Sequence, residues 1–462
     1  MSKIKSGKIE FVKKTHFPIP AETLFTWHEK RGILERLIPP WEKVEILHSD
    51  ESIQSGAKVK LSVKRRGIRQ CMEVEHRNYQ KGRQFCDFQI RGPFKYWHHQ
   101  HLCHPYNEQE SFLEDKIHYS LPCGYLGRLL AGRWVKKQLE RTFRYRHEIT
   151  FKDLVSHKIE AHKGLKNILV SGYRGLVGRA LTPYLRSQDH QVIGLSRSPS
   201  KGERISWNPA GNRLDLSDLE EKKLDAVVHL AGEGIVQRWT PAAKKRILQS
   251  RVQGTRLLSE KLASLKKPPK VMICASGISI YGIQNEEAVD EGAPLGKGFL
   301  AEVAQQWEAA TAPAIERGIR VVHLRIGLVL SPAGGAMGRM LPFFKWGLGG
   351  RIARGQQYMN WIAIDDLIGA IYHCIRQPDL QGPVNAVAPE PVTNMDYTRE
   401  LGKRLHRPTV LPIPRMGVDL VFGEMGKETL LASQRAKPEQ LLKTGYRFRY
   451  PTLGSALKHL IR

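Results

Sequence analysis

Paired cysteines, an apolar stretch long enough to cross a bilayer, and acidic residues to match the basic ones are all missing from this chain. The six cysteines, Cys71, Cys86, Cys103, Cys123, Cys274 and Cys374, stand apart with no Cys-x-x-Cys spacing. That fits free thiols in a reducing compartment rather than a disulfide framework. No apolar run reaches the roughly 18 residues of a membrane span, and the opening MSKIKSGKIEF lacks the apolar core of a signal peptide. A cytoplasmic protein with no membrane span is expected. Lysine and arginine outnumber aspartate and glutamate by 73 to 45, for a formal net charge of +28. Such a field attracts nucleic acid, anionic lipid or phosphorylated ligands. The basic residues run through both halves, however, without a recognition helix, zinc-finger spacing or RNA-binding aromatic signature, so no dedicated nucleic-acid surface is expected.

Glycine, by contrast, is well placed. In Ile168-Leu169-Val170-Ser171-Gly172-Tyr173-Arg174-Gly175-Leu176-Val177-Gly178-Arg179-Ala180 a short apolar strand empties into three glycines spaced three apart and then into a helix. A pyrophosphate needs bare backbone N–H groups at a helix start, and side chains at Gly172, Gly175 or Gly178 would block its approach or spoil strand–helix packing. Gly172 to Gly178, with Tyr173, Arg174, Leu176 and Val177 between them, are therefore the candidate dinucleotide loop. It begins near residue 170, and a chain of 462 residues is too long for one core. A whole domain is expected before it.

That first domain, residues 1–151, reads as an antiparallel sheet of short strands at Ile9–Lys14, Val44–His48, Lys58–Lys64, Cys71–Tyr79, Gln84–Ile90, His98–Cys103 and Lys116–Leu121. Helices are expected at Ala21–His28 and from Tyr125 to His147, where Leu130, Trp134, Val135, Leu139 and Phe143 share one stripe. The phrases FPIPAETLFTWH, LIPPWEKVEIL and GRQFCDFQIRGPFKYWHHQH, with the basic C-terminal helix, resemble the START/polyketide-cyclase-like ligand-binding domains. The resemblance implies an α+β helix-grip fold around an apolar cavity, and a small hydrophobic ligand. His98, His99, His101, Cys103 and His104 invite a metal reading, but strand alternation puts His99, His101 and Cys103 on one face and His98 and His104 on the other. With no carboxylate in the segment, a structural or cavity-lining role is expected and no metal. The charged, weakly patterned stretch 152–166 reads as a linker.

From 167 to 462 strands and helices alternate, as a doubly wound parallel sheet requires. Helix Leu176–Arg186 leads to strand Gln191–Leu195; then come strand Leu224–Ala231, helix Pro241–Ala263, strand Lys270–Ala275, helix Phe299–Arg317 and strand Arg320–Ile326. Residues 331–462 are expected to supply most of a small substrate-side subdomain. The end of strand 191–195 should reach the adenosine ribose, and it carries Ser196, Arg197 and Ser198 in place of an acid. Guanidinium groups at Arg174 and Arg197 suit a 2′-phosphate, which a carboxylate would repel, so NADP is expected over NAD.

SGYRGLVG, VVHLAG, SRVQGTRLL and NWIAIDDLIGAI resemble the extended short-chain dehydrogenase/reductases. GEGIVQRWTPAAKKRILQSRVQGT, CASGISIYG, FLAEVAQQWEAA, LRIGLVLSPAGGAM and PEPVTNMDY are similar to an atypical epimerase-family branch, described as cell-division-inhibitor-like or nucleoside-diphosphate-sugar-epimerase-like. The resemblance implies a Rossmann-like fold, an adenine passing Leu230, Ala231 and Gly232, and an oxidoreductase or epimerase-like reaction on a small carbonyl or sugar-nucleotide-like compound. It also implies a tyrosine and, four residues later, a lysine at the start of the helix near 299. Residues 298–305 read GFLAEVAQ and contain neither. Ser276 and Tyr281 are the remaining catalytic candidates, one as a hydroxyl that polarises a carbonyl and the other as an acid, with Glu302 as a further acceptor. Adjacent Asp365 and Asp366 suit helix capping better than paired acid/base work. The span 333–350 reads as an apolar cover. A non-catalytic NADP-binding sensor, carrier or regulator stays open as the alternative.

Overall fold

The computed structural model describes residues 8–65, 67–159, 164, 166–197, 204–219 and 223–461. The chain divides near Gly164 into two compact units. No helix among the described residues is long and apolar enough to cross a membrane.

The first unit contains β1 (Ile9–Phe17), α1 (Ala21–Glu29), α2 (Ile33–Arg36), β2 (Lys43–Ser49), β3 (Lys58–Arg65), β4 (Ile68–Gln80), β5 (Gln84–Arg91), β6 (Tyr96–Pro105), β7 (Ser111–Ser120) and α3 (Gly124–Ile159). The strands form one antiparallel sheet in the order β1-β7-β6-β5-β4-β3-β2. β7 alternates perfectly between buried and half-buried residues, as a strand with one covered face must. Val135, Leu139 and Phe143 of α3 pack on Phe11, Ile117 and Tyr119. Leu130 and Trp134, expected on the same stripe, stay exposed, and Trp134 lies beneath the Arg65 guanidinium.

The expected linker 152–166 is corrected over its first half, because α3 continues to Ile159. Asp153 is fully buried and takes both Arg36 Nε (2.8 Å) and Nη2 (3.1 Å) in a forked ion pair, and Leu154 joins the core beside α1. Those contacts hold the last turns in helix. Residues 160–163 and 165 of the expected linker lie outside the described residues.

The second unit begins with β8 (Asn167–Ser171), α4 (Leu176–Arg186), β9 (Gln191–Ser196), β10 (Arg204–Asn208), β11 (Arg213–Leu214), β12 (Ala226–His229), α5 (Pro241–Ala263) and β13 (Val271–Gly277). It continues through β14 (Gln284–Val289), α6 (Phe299–Ala309), α7 (Ala312–Glu316), β15 (Arg320–Ile326), β16 (Leu328–Leu330), α8 (Gly335–Lys345), β17 (Tyr358–Met359), β18 (Trp361–Ala363), α9 (Ile364–Arg376) and β19 (Gly382–Ala386). It ends with β20 (Val392–Thr393), α10 (Asn394–Leu405), α11 (Arg415–Thr429), β21 (Ser433–Ala436), α12 (Glu439–Lys443) and α13 (Leu453–Leu460). The main sheet runs β11-β10-β9-β8-β12-β13-β15-β19, parallel except for β11 at one edge. This is a Rossmann-like order, and its direction of winding reverses between β8 and β12, where such sheets open a ligand crevice. The single helix expected over 299–317 is two, because Pro313 has no N–H for the Ala309 carbonyl.

Candidate functional site

β8 is buried to the last residue, and its end is pinned to the end of β12. Ser171 Oγ accepts the N–H groups of Leu230 (3.1 Å) and Ala231 (3.3 Å) and lies 2.6 Å from His229 Nδ1. His229 Nε2 reaches Thr255 Oγ1 on α5 at 3.0 Å, and burial lowers its pKa to about 4. The two loops that flank the crevice are thereby held at close quarters.

The three loop glycines meet three different demands. Gly172 has φ +69°, and a Cβ there would sit 2.8 Å from the Leu230 carbonyl carbon and 2.9 Å from Ala231 N. At Gly178 a Cβ would fall 2.4 Å from Gly172 O and Tyr173 Cα, so the first turn of α4 rests directly on the loop. Gly175 differs, because among the described residues a Cβ there would meet only Gly172 O, at 3.1 Å. Its position is open, at the helix start where unpaired N–H groups and the dipole favour an anion. The Tyr173 ring covers Gly194 of β9. Leu176 and Val177 are half-buried, and Val177 packs on the core behind β8.

β9 ends at Ser196, which is buried, and Arg197 follows it exposed. Arg174 is exposed as well, its guanidinium 5.6 Å from the Tyr173 ring. Among the described residues neither arginine has an ion-pair partner; Ser198 lies outside them. Beyond β12, Leu230 and Ala231 are half-buried, and a Cβ on Gly232 would touch the Arg251 guanidinium at 3.2 Å. Arg251 is buried over Trp307, and burial lowers its pKa to about 10. Sequence reasoning missed it, although Arg251 places a charge within the buried stripe of α5 formed by Ile247, Thr255, Leu258 and Leu262.

Ser276 and Tyr281 come together through an ion pair that sequence reasoning also missed. Arg325 of β15 grips Glu308 of α6 through Nε–Oε1 and Nη2–Oε2, each 3.0 Å, and donates from Nη1 to Tyr281 Oη at 2.9 Å. Ser276 Oγ donates to Glu308 Oε1 at 2.7 Å, and Tyr281 Oη donates to Asn385 Oδ1 at 2.8 Å. Both hydroxyl protons are already placed, and burial raises the Tyr281 phenol. An arginine inside the apolar strand VVHLRI was the signal, since a buried guanidinium requires a partner.

α6 opens on Phe299, whose ring meets Trp239 at 4.9 Å and lies under Lys244 Nζ at 4.5 Å. The helix start is capped by Glu428, which accepts the N–H groups of Phe299 and Leu300, both at 2.8 Å. Glu302 is exposed and accepts from Gln306. The capping expectation for Asp365 and Asp366 is corrected: Ala363 stands at the N-cap of α9, and both carboxylates anchor the C-terminal segment instead. Asp366 accepts the N–H groups of Arg449 (2.6 Å) and Tyr450 (3.1 Å), and Asp365 meets His459 Nε2 at 2.9 Å. In the expected apolar cover, Met337, Leu341 and Phe344 belong to the core, whereas Phe343 and Trp346 are exposed.

In the first unit His99 and His101 lie on the covered face of β6, and His98 stacks on Phe88. Carboxylates, absent from the segment itself, reach the histidines from the neighbouring strands. The register sets Asp87 of β5 opposite His99 and Asp115 of β7 opposite His101. Burial pulls the His101 imidazole down, but Asp115 and Asp87 outweigh it and raise its pKa to about 9.

Comparison with known proteins bears on both units. Residues 168–387 match the model of the NAD dependent epimerase/dehydratase family, and residues 413–460 match a domain of unknown function, DUF1731. An epimerase family protein of Mycobacterium tuberculosis is 42% identical over 292 residues, which is 63% of this chain and 96% of that protein. The human epimerase family protein SDR39U1 is 37% identical over 64% of this chain and 99% of its own length. Its isoform 2, solved with NADPH, superposes with a TM-score of 0.59 at 36% identity, over 64% of this chain and 99% of that one. The crystal structure of a nucleoside-diphosphate sugar epimerase from Corynebacterium glutamicum matches with a TM-score of 0.80 at 30% identity, covering 98% of this chain and 90% of that one. From the glycine cradle, the parallel sheet and these relatives, the chain belongs to the NAD dependent epimerase/dehydratase family.

Proposed function

We propose that the second unit binds NADP(H) and acts as an oxidoreductase or epimerase-like protein on a small carbonyl or sugar-nucleotide-like compound, without the usual tyrosine–lysine pair. The observation that carries the reading is Gly172: φ +69° and a Cβ position inside the Leu230–Ala231 backbone leave a cradle only glycine can form. In this reading the N–H groups at the start of α4, with Gly175 open before them, take the pyrophosphate. Arg174 and Arg197, exposed and without carboxylate partners among the described residues, take the 2′-phosphate. Leu230, Ala231 and Gly232 flank the adenine. The NADPH in the human relative's structure supports the same choice.

When bound, a nicotinamide supplies or accepts a hydride. Position 299 is phenylalanine and position 303 valine, so neither moves a proton. Ser276 and Tyr281 act as positioning groups, fixed by Glu308, Arg325 and Asn385, and shape the crevice wall at the carboxyl end of β13. The first unit, an antiparallel sheet with a long helix, is read as a START-like helix-grip domain that takes a small hydrophobic ligand. Phe299 favours a second reading, a non-catalytic NADP-binding sensor or carrier. Titration with NADPH, followed by a panel of carbonyl compounds and sugar nucleotides monitored for NADPH oxidation, tests the proposal. Binding with turnover supports the enzyme, binding without turnover supports the sensor, and no binding sinks both.

A further inference from the structure

Among the described residues Asp87, His99 and His101 offer three ligand atoms that all lie within 4.8 Å of one another. Asp87 Oδ2 is 3.3 Å from His99 Nδ1 and 3.3 Å from His101 Nε2. Both separations are long for a charge-assisted hydrogen bond, which closes to about 2.7–2.9 Å. They match the edge of a tetrahedron, about 3.3 Å, whose centre holds a cation with bonds of about 2.0–2.1 Å.

The remaining ring nitrogens are committed elsewhere. His99 Nε2 and His101 Nδ1 both turn to Asp115 Oδ1, at 2.8 and 2.7 Å. An ionised carboxylate only accepts, so Asp115 accepts a hydrogen bond from each of these nitrogens, and a cation binding between His99 Nδ1, His101 Nε2 and Asp87 would displace whatever proton the two facing nitrogens carry. Asp115 is itself held, since His147 Nε2 reaches its Oδ2 at 2.7 Å and His147 Nδ1 lies 2.8 Å from Thr15 Oγ1. His76 Nδ1 stands 2.8 Å from the other oxygen of Asp87. Each ligand thus has an outer partner that fixes its orientation, as metal-binding histidines and carboxylates regularly do. Phe85 stacks on His101 with ring centroids 4.1 Å apart, and Phe143 stands edge-on to His99 at 5.1 Å, so both imidazoles are held by packing as well.

We propose that Asp87, His99 and His101 bind a divalent first-row transition metal ion, with Asp115, His147 and His76 as its outer partners. Two imidazoles and one carboxylate, with no thiolate, suit Zn²⁺ or Fe²⁺. Three protein ligands leave at least one position open. The Asp87 side chain keeps 18% of its exposure whereas those of His99 and Asp115 keep 2% and 4%, so the open position lies on the Asp87 side. An oxygen donor, water or the carboxylate or carbonyl of a bound molecule, would complete the coordination. Asp87, His99 and His101 all belong to the first unit.

The test uses the full chain, stripped with a chelator and titrated with Zn²⁺ and, for its spectrum, with Co²⁺. The proposal predicts one equivalent bound per chain after desalting, visible absorption from the Co²⁺ form, and a higher melting temperature on Zn²⁺ addition. Asp87→Asn and His101→Gln should each weaken binding at least about tenfold, and Asp115→Asn about 10–100-fold. His98→Gln, on the opposite face, should leave it unchanged. Because the Co²⁺ spectrum is read on the wild type, misfolding of a variant does not obscure the result. Failure to retain Zn²⁺ or Co²⁺, or retention unaffected by Asp87→Asn and His101→Gln in folded protein, overturns the proposal and assigns the cluster to a proton-bridged imidazolium network.

Discussion

Gly175→Val separates a glycine kept for a ligand from one kept for packing. Among the described residues the one neighbour a Cβ meets at 175 is Gly172 O, at 3.1 Å, and the residue is not among those with positive φ. A shift of a few tenths of an ångström relieves that contact, and a β-branched residue at a helix entry costs at most about 0.7 kcal/mol. For a unit of this size the melting temperature should fall by no more than about 2–4 °C. The isopropyl group would nevertheless stand before the first turn of α4, where a pyrophosphate must approach. Two charge-assisted hydrogen bonds at about 1.5–3 kcal/mol each would be lost, weakening NADPH roughly 100-fold or more. Gly172→Ala should do the opposite damage first. Its φ of +69° costs an L-residue about 1–2 kcal/mol, and the overlap with Leu230 at 2.8 Å falls on backbone that cannot yield. Thermal melts and calorimetric titrations of both variants read the two effects separately. Wild-type NADPH affinity in folded Gly175→Val would refute the reasoning about the cradle, and a wild-type melt for Gly172→Ala would refute the packing argument.

Arg197→Asp should narrow the NADPH-to-NADH affinity ratio by about tenfold or more, since it replaces a charge-assisted pair with repulsion; competitive titration measures it. Acid should destabilise the second unit through His229, whose pKa is about 4 in the folded chain against 6.5 when free. The unfolded chain then binds the extra proton, so this stability is complete above the free value. It falls by up to about 3 kcal/mol as the pH drops to the folded value, which urea unfolding at pH 7 and pH 5 would detect. Tyr281→Phe removes the phenol between Arg325 and Asn385 and should destabilise by about 1–3 kcal/mol, leaving NADPH affinity close to wild type. A large loss of affinity with no loss of stability would contradict its positioning role.

Local signals carried most of the fold into the sequence. The alternation that marked Gln84–Ile90 and His98–Cys103 reappears in β5 and β6 within two residues at each end. The apolar run before Gly172 is β8 itself. Each of these signals sits in a few consecutive residues and depends on one covered face or one turn. The short strands β10, β14 and β21 were not legible, because a few residues next to a sheet edge or in a small parallel pair carry too little periodicity. The candidate site was legible where it is contiguous, in the loop from Gly172 to Gly178. Contacts made across strands and helices were not. Glu308 and Arg325 are seventeen positions apart, and Asp87 and Asp115 flank the histidines only through strand register. Asp365 and Asp366 read as caps because their partners, His459, Arg449 and Tyr450, lie more than eighty residues away.

The central claim is that the second unit is built for a phosphorylated dinucleotide. Calorimetric titration of the wild-type chain with NADPH and with NADH, at one salt concentration, tests it directly. Affinity for NADPH at least about tenfold above that for NADH, a difference of about 1.4 kcal/mol, is the predicted result. Equal affinities, or tighter NADH, would contradict the account.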